Sequence, residues 1–322
     1  MEPVKNHFLC RPAVVCLLAA VACLLWGSAA PIIKIGYEML DIAQGDTWKI
    51  ILFAGVRFSL AGLLVIAFSW ISARKIVLPH RDSWGNVVKL SASQTVIHYM
   101  LFYIGVANTS GVHSAILTGA GSLWAILLAC FVFRQEKMTA PKLIGCLLGF
   151  GGIVMMNLTG ESAGMSLRGE GLLLISGLCS GMSSCQAKIY SKKENAVVLT
   201  GWQFLVGGLF MCACAMLCGA RLTVKTPMAA AVLLYLGFLS AVAYSLWTTL
   251  IHYNSVSQVA VFGFMTPMFG VLLSAILLRE FSQAFRPNVA AALLMVCTGI
   301  VLVNRFGNSA KKSQICAQNH EK

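Results

Sequence analysis

The amino-acid sequence predicts an all-α integral membrane protein whose ten transmembrane helices form two inverted five-helix repeats. Three observations predict it. The chain is 58% hydrophobic and 11% charged, with a mean hydropathy of +0.80, a balance that no soluble core could conceal. Apolar runs of membrane-crossing length recur from about Val14 to Val303 with short polar breaks. The first half of the chain also matches the second, in a register that persists from end to end.

A helix crossing ~30 Å of hydrocarbon needs about 20 mostly apolar residues. Stretches of that kind fall near 13–33, 49–71, 87–106, 112–133, 141–158, 170–190, 198–219, 228–250, 257–278 and 288–304. With ten spans both termini lie on one side. If that side is the cytoplasm, its loops carry sixteen Lys and Arg against seven opposite, with Arg57 left inside a span. Positive loops are retained in the cytoplasm, so both termini are expected there. This topology also accounts for the net charge of +13, which is not read as nucleic-acid binding.

The repeat emerges when "WGSAAPIIKIG" from Trp26 is set against "SGMSSCQAKIY" from Ser180, pairing Gly27 with Gly181 and Lys34 with Lys188. "VRFSLAGLL" from Val56 pairs with "WQFLVGGLF" from Trp202, so Phe58 meets Phe204, Gly62 meets Gly208, and Arg57 meets Gln203. "VHSAILTGAGSLWAILLACFVFRQE" ends at Glu136, and its partner "VSQVAVFGFMTPMFGVLLSAILLRE" ends at Glu280. A Pro follows each Glu (Pro141, Pro287), and then "GIVMMN" from Gly152 and "GIVLVN" from Gly299. Five spans per copy is an odd number, so the second copy enters the membrane in the opposite direction. Such repeats put a pseudo-two-fold axis in the membrane plane and a substrate site near its midplane. The first apolar segment looks like a secretory leader, but its counterpart lies deep in the chain, so it is expected to stay as a helix.

The expected organisation is a cytoplasmic N-terminus (1–12), a first repeat with helices 1 to 5 (13–158) and an external linker (159–169). A second repeat with helices 6 to 10 (170–305) and a disordered cytoplasmic tail (306–322) complete it.

These motifs resemble the drug/metabolite transporter superfamily, and within it the EamA-type ten-helix permeases. The resemblance rests on "LLWG…K" in the first helix, "R-F" with small residues in the second, and a Glu closing the fourth and ninth. "AYSLW" at Ala243 to Trp247 and "TPM" at Thr266 to Met268 add to it. One departure is visible, since Leu123 stands where the ninth helix has Pro267. The resemblance implies helices 1 to 4 and 6 to 9 around a central cavity, with 5 and 10 as braces. It implies a secondary transporter, an exporter of a small metabolite such as an amino acid or related compound, working by alternating access. The expected setting is a plasma (bacterial inner) membrane.

Ionisable residues within a span are costly and usually face a cavity or a partner. Arg57 reads either as a fixed charge near an anionic substrate group or as a side chain that snorkels or pairs with carbonyls at the outer interface. His98 lies mid-way along the third helix with Ser91, Gln94, Thr95 and Tyr99 near it, giving that helix one polar side. His98 reads as a proton carrier or as a neutral ring bonded across helices. The eleven acids all lie outside the middle of the spans, which excludes a carboxylate relay there. Among aromatic residues Trp26, Tyr99, Trp124 and Tyr244 are the cavity-wall candidates. Gly119, Gly263 and Pro267 are candidate hinges. Glu136, Glu280, Lys34 and Lys188 read as charge anchors at helix ends.

The cysteines show no metal-ligand spacing, and no cofactor or metal is expected. The expected partners are a small-molecule substrate and the lipid bilayer, with protons a candidate coupling ion and a homodimer a candidate assembly. An intramembrane enzyme would need paired carboxylates or a nucleophile with its base, and no catalytic set of that kind is present in the sequence. A non-transporting membrane sensor is the other alternative.

Overall fold

In the computed structural model, residues 8–43, 45–74, 77–108, 111–157, 167–278 and 287–307 are described, and they are helices joined by short connections. The helical stretches are α1 (Pro12–Met39), α2 (Thr47–Ala73), α3 (84–107), α4 (111–132), α5 (Ala140–Asn157), α6 (167–190), α7 (Ala196–Leu217), α8 (Pro227–Tyr253), α9 (256–278) and α10 (Pro287–Phe306). Windows at Pro12–Ala29, Thr47–Ile71, Ala196–Leu217 and Pro227–Tyr253 are long and apolar enough to cross a bilayer, and shorter apolar helices accompany them. The chain is therefore a multi-pass integral membrane protein. Leu63, Phe68, Trp70, Phe131, Leu217 and Leu234 lie exposed on its outside, as lipid-facing residues do.

Local chemistry sets the helix starts. The Asp46 side chain caps α2 by accepting from Lys49 N, and Asn195 caps α7 by accepting from Val197 N and Val198 N. Thr226 caps α8 with Pro227 in its first turn, while Ser255 and Gln258 form a capping box at the head of α9. α1 runs on to Met39, beyond the 33 where the apolar count stops, because a helix need not end where the hydrocarbon does.

α3 and α9 depart from regular helical winding beside the site, the second of them at the hinge candidates Gly263 and Pro267. α3 passes through a π-helical segment, Ser91–Ile97, that buries Ser91, Ser93, Gln94 and Thr95. In α9 the segment Val261–Phe264 is wound as a 3-10 helix just before Met265–Leu278. Pro267 explains the second break: it has no N–H to give and its ring crowds the carbonyl four residues earlier, at Gly263. α4, with Leu123 in place of that proline, keeps its α-helix to Leu127 and loosens only over Leu128–Val132.

α2 lies along α7, α5 along α10, α4 along α6 and α1 along α9; α8 packs on both α1 and α2, and α3 on both α6 and α7. Small residues bring the axes together. A Cβ at Gly62 would lie 2.5 Å from Leu205 N of α7, and one at Gly208 would collide with the Ser59 backbone of α2. At the α5–α10 contact a Cβ on Gly299 would stand 2.5 Å from Gly145 O, and one on Gly152 would stand 2.9 Å from Ala292 O. The buried apolar residues form two main clusters, one around α1, α4 and α9 and one around α2, α3 and α7, and Trp26 packs against both.

Candidate functional site

The site lies where these two clusters meet. Arg57 is 3% exposed, so it does not snorkel. Its Nε donates to Ser240 Oγ of α8 at 3.0 Å, and that hydroxyl in turn donates to Leu236 O at 3.0 Å. The guanidinium carbon stands 5.3 Å from the Phe58 ring centre. Tyr37, Tyr99, Tyr103 and Tyr244 are near enough for the Arg57 charge to act on their hydroxyls. Among the described residues no carboxylate pairs with Arg57; the ion pairs join Lys49 to Asp46, Lys142 to Glu136 and Lys225 to Asp41.

Aromatic rings from five helices enclose that charge. Tyr99 of α3 and Tyr244 of α8 share a hydrogen bond of 2.5 Å between their hydroxyls. Phe58 of α2 contacts Tyr99 at 4.3 Å and stacks on Phe204 of α7 at 5.2 Å between centroids. Trp26 of α1 meets Tyr244 at 4.9 Å and Trp247 at 5.0 Å, both edge-on, which suits the ring quadrupoles. Trp26 Nε1 and Gln203 Nε2 are buried donors with no hydrogen-bond partner among the described residues. Gln203, the repeat counterpart of Arg57, accepts from Thr95 Oγ1 at 2.7 Å through its oxygen.

His98 follows the π-helical segment directly and is held by α6. Its Nδ1 lies 2.9 Å from Ser176 O and 2.8 Å from Ser176 Oγ, while Ser176 Oγ also reaches His98 O at 3.0 Å. A carbonyl oxygen only accepts, so Nδ1 carries a proton here and Nε2 is the nitrogen left to titrate. The His98 ring rests edge-on against Tyr99 at 4.5 Å, which joins it to the aromatic cluster. Gln94 is buried in the π-helical segment.

Other candidates lie elsewhere. Trp124 packs on Gly177 of α6 and makes none of the ring contacts described for the cluster. A Cβ on Gly119 would strike Ile153, and one on Gly263 would strike Ser122, so both glycines serve close packing. Pro267 sits half-buried at the α9 break. Glu136, between α4 and α5, accepts from Lys142 Nζ at 2.6 Å and from Ser257 N of α9 at 3.0 Å. Burial raises the Glu136 pKa, but the Lys142 charge and the hydrogen bonds from Lys142 and Ser257 together outweigh it and hold the carboxyl below its ordinary 4.5. Lys188 donates to His252 O at 2.7 Å and to Asn254 O at 2.8 Å. Glu280 and the Lys34 side chain lie outside the described residues.

Ser240, Ser176 and Lys142 were not foreseen. Each is a single polar residue in an apolar or helix-end run, and only the partner it meets across helices gives it meaning. Phe58 and Phe204 did leave a signal, as an aligned pair in the repeat.

The described residues form an all-helical, multi-pass membrane bundle with a polar and aromatic interior. The EamA-like transporter family model matches residues 13–158 and 167–305, and the chain belongs to that family. Similar proteins include the uncharacterized transporter YvbV of Bacillus subtilis (strain 168), 24% identical over 93% of this chain and 94% of its own. An uncharacterized transporter of Archaeoglobus fulgidus is 26% identical over 82% of this chain and 89% of its own. The chloroplastic WAT1-related protein At3g02690 of Arabidopsis thaliana is 25% identical over 87% of this chain and 66% of its own. A solved crystal structure shares the fold, with a TM-score of 0.74 at 15% identity, covering 92% of this chain and 99% of its own.

Proposed function

We propose that the protein is a secondary transporter that exports a small metabolite, an amino acid or related compound, by alternating access of two inverted five-helix repeats. The observation that carries this reading is the buried Arg57 amid aromatic residues from both halves, at the junction of the two cores. Such a group is costly to hold in a membrane and is retained where a polar solute must pass.

The contacts support the inverted repeat. Exchanging each of α1 to α5 for its counterpart five helices on turns the α4–α6 contact into α9–α1, α3–α6 into α8–α1, and α2–α8 into α7–α3. The α2–α7 and α5–α10 contacts map onto themselves, and within the second the Gly299–Gly145 approach maps onto Gly152–Ala292. Two matched segments of the family model agree with this division.

On this reading the halves are tied together at the cytoplasmic end. Glu136 binds Ser257 N, Glu194 accepts from His80 N at 2.8 Å, and Gln135 Nε2 donates to Cys185 O at 2.9 Å. Opening toward the cytoplasm breaks these ties. Any proton coupling falls to His98 through Nε2. The test is transport of labelled amino acids into inside-out vesicles, with reporter fusions at both termini. Uptake that requires the protein, with both reporters cytoplasmic, is expected; uptake equal to vesicles without it, or an external reporter, contradicts the reading.

A further inference from the structure

A buried cation normally has a counter-charge, because desolvating it alone costs several kcal/mol. Arg57 has none among the described residues, and its Nε is committed to Ser240 Oγ. Ser240 is itself oriented, since its proton goes to Leu236 O and leaves a lone pair for the guanidinium. The fork is thus fixed at one edge, and its charge lies beside the Phe58 ring. Trp26 Nε1, whose ring meets Tyr244 and Trp247, is a further buried donor with no partner among the described residues. What the surroundings of Arg57 lack, among the described residues, is a carboxylate.

Building on the transporter reading above, we propose that Arg57 is the receptor for the substrate's carboxylate, and that the substrate carries a single carboxylate on an apolar or aromatic body. The terminal N–H groups of Arg57 take both carboxylate oxygens, a planar fit that guanidinium makes well. Ser240 is the positioning residue that keeps this edge presented. Trp26, Phe58, Tyr244 and Trp247 receive the apolar body. Charge fixes the class: Arg57 lies deep in its span, whereas Lys49, Lys89, Lys142 and Lys188 sit at span ends, so a single negative charge is balanced at Arg57 and the second charge of a phosphate dianion is not. A cation would meet Arg57 with no carboxylate beside it.

The test uses three isosteric probes on the purified full chain in detergent: hydrocinnamate, its neutral amide, and 3-phenylpropylammonium. Quenching of the tryptophan fluorescence reads binding. Hydrocinnamate is expected to bind saturably, the amide about thirtyfold more weakly or worse, and the ammonium compound not at all. Arg57→Gln should bring hydrocinnamate down to the amide's affinity, and Arg57→Lys should recover only part of the loss, because a point charge lacks the fork. Should Arg57→Gln fail to fold, the three-probe comparison on the unaltered chain still decides. Equal binding of the amide or the ammonium probe, an unchanged hydrocinnamate affinity in folded Arg57→Gln, or no saturable hydrocinnamate signal would overturn the proposal. Parallel counterflow separates the two readings: saturable flux of neutral or cationic solutes alone sinks only the anion assignment, whereas no flux of any class sinks the transporter reading with it.

Discussion

Arg57 of α2 and Ser240 of α8 meet at 3.0 Å in the buried interior, and the contact joins a residue of the first matched half to one of the second. The hydroxyl accepts from the cation and donates to Leu236 O, so one small side chain satisfies two helices.

Ser240→Ala removes that acceptor and leaves a buried N–H of a charged group unmade, at a cost of about 1.5–3 kcal/mol. A lower melting temperature in detergent is expected, together with weaker binding of hydrocinnamate. An unchanged melting curve would mean that another acceptor replaces the serine at no cost.

Glu136 gives a pH-dependent prediction. Its folded pKa lies below the ordinary value, so its stabilisation is present above pH 4.5 and is lost as pH falls through the folded pKa. The contribution of this group to the melting temperature should therefore be constant between pH 5 and 8 and decline below that window. Glu136→Gln leaves the buried Lys142 without its carboxylate, at a cost of about 3 kcal/mol, and pairing it with Lys142→Met should recover most of the loss. Equal melting of the single and the double variant would show that an unpaired Lys142 is not the source of the loss.

Gly208→Ala is expected to destabilise the chain by about 1–3 kcal/mol, because the new methyl meets the Ser59 backbone where α2 and α7 touch. Gly85 is the control, since a Cβ there has open space in a helix, and Gly85→Ala should be neutral or slightly stabilising. Thermal unfolding of the two variants side by side checks this; the same loss in both would show that the α2–α7 contact is not its cause.

The helices were legible because a membrane-crossing segment writes its length and polarity directly into the chain, as Thr47–Ile71 and Ala196–Leu217 do. Arg57, Tyr99, Tyr244 and Trp26 were legible as interior residues for the same reason: charge or aromatic character stands out in an apolar span. The partner of Arg57 was not, because nothing distinguishes Ser240 from other small polar residues until α8 is laid beside α2. The same limit applies to Trp124, whose place on Gly177 depends on how α4 rotates against α6. The π-helical segment at Ser91–Ile97 escaped notice because its polar residues recur at spacings that an ordinary helix also satisfies.

The central claim is that the protein moves a solute through the junction at Arg57. Counterflow in proteoliposomes tests it most directly, with labelled amino acids, organic monocarboxylates, nucleosides and quaternary amines, with and without a pH gradient. The account predicts saturable accumulation of a carboxylate-bearing class that falls in Arg57→Gln, and a gradient response, where there is one, that disappears in His98→Ala. Accumulation no greater than in protein-free liposomes for every class would contradict it.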